Sequence, residues 1–375
     1  MALLFFFVCK ANGGNQLNLP KNIFSCNARD SVLNYTKILW WEYVPTMETA
    51  MEYDKKKIAV LTSGGDASGM NACIRAVVRY AMAQGYTVYG VRRGYVGLIE
   101  DDIFEMQYNS VSNCVHTGGT ILRTGRSKDF CNPEVMKKAV DNLLKRGCNH
   151  LVVIGGDGSF RGLQDIHKMT DMRVIGIPAT IDNDMGYTDF TIGFDTACNT
   201  VIDAILRLRD TITSHDRIMI LEVMGRHCGD IAINSALAGG AEYVIVGEVP
   251  VDVDAIADSV KRGFDKGKTS TIIVLAEARN DLKDELIEKV GAATGRRVNH
   301  VSLSYMQRGG YPAMADRVLA SRMAVRAVEL IDEGQSGRVV GVNGNDIIDM
   351  SVGEALKVPK KFNQKIYDIA TKISK

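Results

Sequence analysis

The chain has 375 residues, 46% hydrophobic and 24% charged, with a net charge of +1. That length leaves room for two or three domains with a sizeable core, and the near-neutral balance excludes a global field that would recruit nucleic acid or an anionic membrane. The eight cysteines include no CxxC pair, which argues against a disulfide framework or a zinc site and for reduced thiols in a cytoplasmic protein.

Residues 1–50 begin with the apolar run "MALLFFFVCK", which lacks a basic segment before it and a small-residue cleavage site after it. The stretch shows no sustained period and reads as a disordered or misassigned extension, with the working protein starting near Met47 or Met51. No segment approaches the roughly 18 apolar residues of a membrane helix.

From Lys57 a regular alternation sets in. Strands are expected at "KIAVLT", "TVYGV", "LVVIGG", "RVIGIPAT", "RIMILEV", "EYVIV", "TIIVLAEA" and "RVVGV". Helices are expected between them, as at "MNACIRAVVRYAMAQG" and "NPEVMKKAVDNLLKRG". Strands apolar on both faces, alternating with amphipathic helices, predict parallel sheets covered on both sides. The expected fold is α/β, with two doubly wound domains and a cleft between them.

In such folds ligands collect beyond the carboxyl ends of the strands. Five expected strand tips carry glycine or charge: Ser63-Gly64-Gly65-Asp66, Gly155-Gly156-Asp157-Gly158, Thr180-Ile181-Asp182-Asn183-Asp184, Met224-Gly225-Arg226 and Glu277. One such tip is explained by a tight turn; five read as one phosphate-handling site. Neither GxxxxGK[ST] nor a dinucleotide GxGxxG is present, so phosphate must be cradled by bare backbone N–H groups at Gly65 and Gly156–Gly158. Phosphoryl transfer also needs Mg²⁺, a cationic clamp and a group that positions the nucleophile. Asp157 and Asp184 suit the metal, and Arg126 suits the clamp. Of Asp182 and Asp184, one suits the general base and the other the metal or orientation; in isolation "DND" would read as an Asx-rich turn.

From Lys57 to about residue 355 the chain resembles the bacterial-type ATP-dependent 6-phosphofructokinases, through "TSGGDASGMNACIRAVVR", "GGDGS", "PATIDND", "TIGFDTA", "RLRDT", "VMGRHCGD", "SALAGGAE" and "QRGG" in family order. The resemblance implies phosphorylation of the 1-hydroxyl of fructose 6-phosphate by MgATP, the committed step of glycolysis, in a homo-oligomer, a tetramer by family habit. It implies that Asp182 is the base with Thr180 beside it. Gly65, Arg126 and Arg226 would assist the moving phosphoryl group, Gly156, Gly158 and Ser159 would bind ATP phosphates, and Asp157 would hold Mg²⁺. Met224, Gly225, Arg226 and Glu277 would grip the sugar, while Arg217, from a neighbouring subunit, and Arg308 would hold its 6-phosphate. Residues 51–193 with about 306–355 would form a larger nucleotide-binding domain, and about 194–305 with 356–375 a smaller sugar-phosphate domain.

Pyrophosphate-dependent relatives typically carry Asp for the second glycine of GGDG and Lys in "PKTIDND". Gly158 and Ala179 here point to ATP instead. The resemblance also implies a pocket for a nucleotide or phosphometabolite effector, built from Arg75, Arg79, Arg209, Glu242, Lys266 and Lys268, with Tyr108 where a basic residue is usual. The sugar-phosphate end departs from the family: Asn299 stands where a second cross-subunit Arg is common, and Tyr305 where His is common. Two rival readings turn on those positions, a catalytically weak regulatory paralogue and a kinase of a related ketose phosphate. Arg296 and Arg297 are candidates to replace the missing charge.

Overall fold

The computed structural model describes residues 56–374; the expected extension at residues 1–50 lies outside them. The first half of the fold runs β1 (Lys57–Ser63), α1 (Met70–Ala83), β2 (Thr87–Val91), β3 (Ile103–Met106), α2 (Pro133–Leu144), β4 (His150–Gly155), α3 (Asp157–Met169) and β5 (Arg173–Pro178). There follow α4 (Phe194–Ser214), β6 (Ile218–Val223), α5 (Asp230–Gly239), β7 (Tyr243–Ile245), α6 (Val253–Asp265), β8 (Thr271–Ala276), α7 (Lys283–Thr294) and β9 (Val298–Ser302). The last stretch is α8 (Met314–Asp332), β10 (Arg338–Asn343), β11 (Asp346–Ser351) and α9 (Gln364–Ile373).

Two sheets result. The larger has seven strands in the order β11-β10-β5-β4-β1-β2-β3, and the smaller has four in the order β7-β8-β6-β9. Pairing is parallel except at β2–β3 and β10–β11, which are antiparallel. The fold is the expected α/β class with mainly parallel sheets. All six residues of β4 and of β8 are buried, because helices cover both faces and leave no solvent side on which polar residues could alternate. Local signals agree with tertiary ones: α2 opens with Pro133 behind Asn132, whose side-chain oxygen accepts from the Glu134 N–H at 3.0 Å.

Three strands escaped the sequence reading. β3, β9 and β11 are only partly buried and all lie at sheet edges, so they lack the continuous apolar run that marks an interior strand.

From β1 the larger sheet grows outward to β2 and β3, and the chain then returns to place β4 on the other side of β1. That reversal is a topological switch point, where a crevice opens beyond the strand ends. Register sets Ser63 beside Gly155, so two of the glycine-rich tips leave the sheet side by side. The two sheets share a core: Ile58 and Val60 of β1 and Met219 and Leu221 of β6 belong to one buried apolar cluster. Asp316 on α8, 1% exposed, adds a polar tie by accepting from the Gly193 and Thr196 N–H groups, both at 2.8 Å, at the start of α4. Among the described residues no helix is long and apolar enough to cross a membrane.

Candidate active site

Beyond β1, Gly64 takes φ +93°, a left-handed conformation that glycine adopts without a Cβ penalty. At Gly65 the Arg308 guanidinium lies where any Cβ would project, and its Nη1 donates to the Asp66 carbonyl at 3.3 Å. Glycine here is what lets the arginine cross the strand tip. Beyond β4, α3 begins at Asp157, so the N–H groups around Gly156–Ser159 point out of a helix N-terminus, a ready anion site. A Cβ at Gly158 would meet no protein atom within 4 Å. The protein does not need that space for itself.

Together with the end of β5 these tips line a cleft of about 380 Å³. Gly65, Arg126, Gly156, Asp157, Gly158, Ser159, Thr180, Asp182, Asp184, Arg226 and Arg308 all line it. Asp157 pairs with Arg161 at 2.9 Å within α3 but is 42% exposed through its side chain. Sequence reasoning missed Tyr95 and Ser127, which also line the cleft. Tyr95 donates to the Ser159 carbonyl at 2.7 Å and stacks on Phe130 with ring centroids 4.0 Å apart, fixing one wall. The available signal was its position shortly after β2, a strand next to the switch point.

Asp182 is the most confined group in the cleft. Its side chain is 2% exposed, and its Oδ2 lies 3.1 Å from Nε of Arg226. Its Oδ1 is buried with no hydrogen-bond partner among the described residues. Burial first, then the neighbouring Asp184 carboxylate, push its pKa up from the ordinary aspartate value; Arg226 and then Arg308 pull it back. Arg226 also reaches Asp184 at 3.7 Å. A carboxylate raised toward neutrality with one oxygen unclaimed is suited to take a proton.

The loop after β6 is held by Glu277, whose Oε1 accepts from the N–H groups of Gly225 at 3.2 Å and Arg226 at 2.5 Å. Met224 N–H donates to Oε1 of the fully buried Gln307 at 3.2 Å. Hydrogen bonds thus tie Met224, Gly225 and Arg226 to Gln307 and Glu277, and of these residues Arg226 lines the cleft, as does Arg308 next to Gln307.

Three expected sugar-phosphate residues are not brought there within one chain. Arg217 precedes β6 and Asn299 pairs with Met219, at the strand ends away from the tip at Val223. Tyr305 is 79% exposed. Arg296 is already engaged, donating to the Asp216 carbonyl at 3.0 Å and lying 4.2 Å from the Phe264 ring centre.

In the expected effector cluster, Arg209 binds both carboxylate oxygens of Glu242, at 2.7 and 3.0 Å. Arg75 and Arg79 share a partly buried face of α1, opposite the buried Ile74, Val77 and Val78. Nε of Arg79 is buried without a partner among the described residues. Lys266 and Lys268 flank Gly267 just after α6.

A family model described as Phosphofructokinase matches residues 57–331. The chain is 52% identical over 320 residues to the ATP-dependent 6-phosphofructokinase of Clostridium acetobutylicum, covering 85% of this chain and 100% of that one. It is 53% identical over 321 residues to the enzyme of the same description from Clostridium tetani, covering 85% and 99%. Among solved structures it is similar to phosphofructokinase from Saccharomyces cerevisiae, at 31% identity and a TM-score of 0.75, covering 86% of this chain and 48% of that one.

Proposed function

The chain belongs to the phosphofructokinase family, and we propose that its cleft transfers the γ-phosphoryl group of ATP to the 1-hydroxyl of fructose 6-phosphate, giving fructose 1,6-bisphosphate and ADP. The observation that carries this reading is Asp182: a buried carboxylate with one oxygen paired to Arg226 and the other unclaimed, in a cleft that also holds the glycine-rich N-terminus of α3.

Asp182 takes the proton from the sugar hydroxyl as that oxygen attacks, with Thr180 beside it. Gly65, Arg126 and Arg226 stabilise charge on the transferring group, and ATP phosphates sit on Gly156, Gly158 and Ser159. Mg²⁺ fits the donor set. It is usually held by one or two carboxylates plus substrate phosphates rather than by a dedicated cage, and the cleft offers Asp157 and Asp184, with no cluster of three or more metal-ligating residues among the described residues. When bound, it neutralises charge on the phosphates. Met224, Gly225, Arg226 and Glu277 orient the sugar.

Arg308 holds the 6-phosphate with Tyr305, joined by Arg217 and Asn299 across a subunit boundary. The place of Arg217 and Asn299 at the strand ends away from Val223 supports that reading. So does the apolar surface at Tyr305, Met306, Tyr311 and Met314, each 68–79% exposed, which suits a second copy of the chain in a homo-oligomer, a tetramer as the resemblance implies. The division of strands between the two sheets supports a nucleotide-binding domain of residues 51–193 with about 306–355, and a sugar-phosphate domain of about 194–305 with 356–375. An anionic effector, a nucleotide or a phosphometabolite, binds at Arg75, Arg79, Arg209, Glu242, Lys266 and Lys268.

A steady-state assay of the full chain with MgATP, comparing fructose 6-phosphate with sedoheptulose 7-phosphate and tagatose 6-phosphate, tests the assignment. Turnover of fructose 6-phosphate that Asp182→Asn lowers by about 10²–10⁴-fold, the usual contribution of a general base, supports it. No turnover at millimolar sugar, with nucleotide still bound, would favour the regulatory reading, and preference for another ketose would reassign the substrate.

A further inference from the structure

Asn183 stands between the two carboxylates of the cleft, is 2% exposed, and takes φ +50°. Asparagine enters that region more readily than other residues with a Cβ, and the surroundings of Asn183 hold it there. Its Nδ2 donates to the Asp189 carbonyl at 3.1 Å and to Oδ2 of Asp230 at 2.9 Å, while its Oδ1 accepts from the N–H of Thr191 at 3.1 Å. The Thr191 hydroxyl gives its one proton to the Thr180 carbonyl at 2.6 Å.

The Asp230 oxygen that holds this amide has a second partner. Nζ of Lys360, from the segment before α9, lies 2.9 Å from it, and the two side chains are 21% and 11% exposed. The backbone of the adjoining Val358 and Pro359 fills the space beside Gly186, where a Cβ would otherwise go. A segment far along the chain is thus pressed against the back of the loop that carries Asp182. Neither Asp230 nor Lys360 lines the cleft.

We propose that Lys360 is a positioning residue for phosphoryl transfer: its ammonium balances Asp230, Asp230 anchors the Asn183 amide, and Asn183 fixes where the Asp182 carboxylate stands. The proposal rests on the reading of Asp182 as the base. Without the ammonium, Asp230 becomes a mostly buried carboxylate with no cation beside it that must draw in water or a proton, and its hold on the Asn183 amide shifts. Small displacements of a reacting group are costly in rate while leaving remote binding contacts intact.

The test compares full-length wild type with Lys360→Met, Lys360→Arg and the double variant Lys360→Met/Asp230→Asn, measuring kcat, both KM values and Tm, with Asp182→Asn as control. Lys360→Met should lower kcat by about 10- to 100-fold and leave KM for ATP within about twofold, and Lys360→Arg should recover most of the loss. The double variant, neutral on both sides, should turn over faster than Lys360→Met, since an amide at 230 still accepts from Asn183. If Lys360→Met fails to fold, the Arg and double variants carry the comparison. A kcat for Lys360→Met near wild type, with Asp182→Asn inactive, would overturn the positioning role alone. So would a double variant no faster than the single one. An active Asp182→Asn would overturn the base assignment and the positioning role with it.

Discussion

Nε of Arg226 lies 3.1 Å from the carboxylate of Asp182, pairing a guanidinium 50% exposed with an acid 2% exposed. The pair is lopsided: solvent reaches the cation and not the anion. Arg226 is thus the partner with solvent around it to accommodate a ligand, while Asp182 is enclosed by protein.

The activity profile against pH follows from that arrangement. Asp182 works only deprotonated, and burial and Asp184 place its pKa above the ordinary aspartate value, so kcat/KM should fall with acid earlier than an exposed aspartate would require. Asp184→Asn removes a like charge and should move the acid limb to lower pH. Arg226→Met removes the largest lowering influence and should move it to higher pH. Profiles of kcat/KM at saturating Mg²⁺ give both limbs; movement in the opposite directions would remove Asp182 from the titration.

Donor choice is tested at the helix N-terminus. Gly158→Asp puts a carboxylate into space that no protein atom occupies within 4 Å, in the first turn of α3, where acidic residues are tolerated or favoured. Tm should therefore hold, while KM for ATP rises at least about tenfold, as expected when one charge-assisted contact is lost or opposed. An unchanged KM would place the ATP phosphates elsewhere.

The departures at the sugar end predict a weak grip on the 6-phosphate. Tyr305 carries no positive charge, and one charge-assisted hydrogen bond is worth roughly 1.5–3 kcal/mol. Tyr305→His, at a position 79% exposed within one chain, should lower KM for fructose 6-phosphate by about tenfold at slightly acid pH, where histidine is charged, and less at pH 8. Equal KM values at both pH would show that residue 305 does not meet the phosphate.

The proposed effector site predicts a response separable from catalysis. Arg79 keeps Nε buried and without a partner among the described residues, so Arg79→Ala removes an unsatisfied group at little cost to the fold. The concentration of nucleotide or phosphometabolite needed to shift the sugar saturation curve should change by about 10- to 100-fold, with turnover at saturating substrate unchanged. An unaltered response would remove Arg79 from the site.

Much of this was legible before any coordinates. Interior strands announce themselves because helices on both faces exclude polar residues, and the glycine-rich tips at Gly64–Gly65 and Gly156–Gly158 mark residues that line the cleft. The unread parts share a physical cause. β3, β9 and β11 are edges with mixed exposure, so no run of apolar residues betrays them. The crossing of Arg308 over Gly65 and the clamp of Asn183 by Asp230 and Lys360 join positions 243, 47 and 130 residues apart in the numbering. Contacts of that kind leave no local periodicity. Asn183 is the instructive case: "DND" reads as a turn, and the sequence gives no sign that its central amide is bonded to Asp230, which in turn pairs with Lys360.

The order of synthesis matters for a chain that crosses between layers in this way. α9 follows β11 of the larger sheet, yet it packs on α5 and beside β7 of the smaller one, with Ala370 buried and Ile366 and Tyr367 laid against the shared core. The smaller layer is therefore left without this cover until every strand of both sheets has emerged from the ribosome. A nascent chain paused before residue 364 leaves the side of α5 that α9 covers open to solvent, an exposed apolar surface of the kind that invites misassembly.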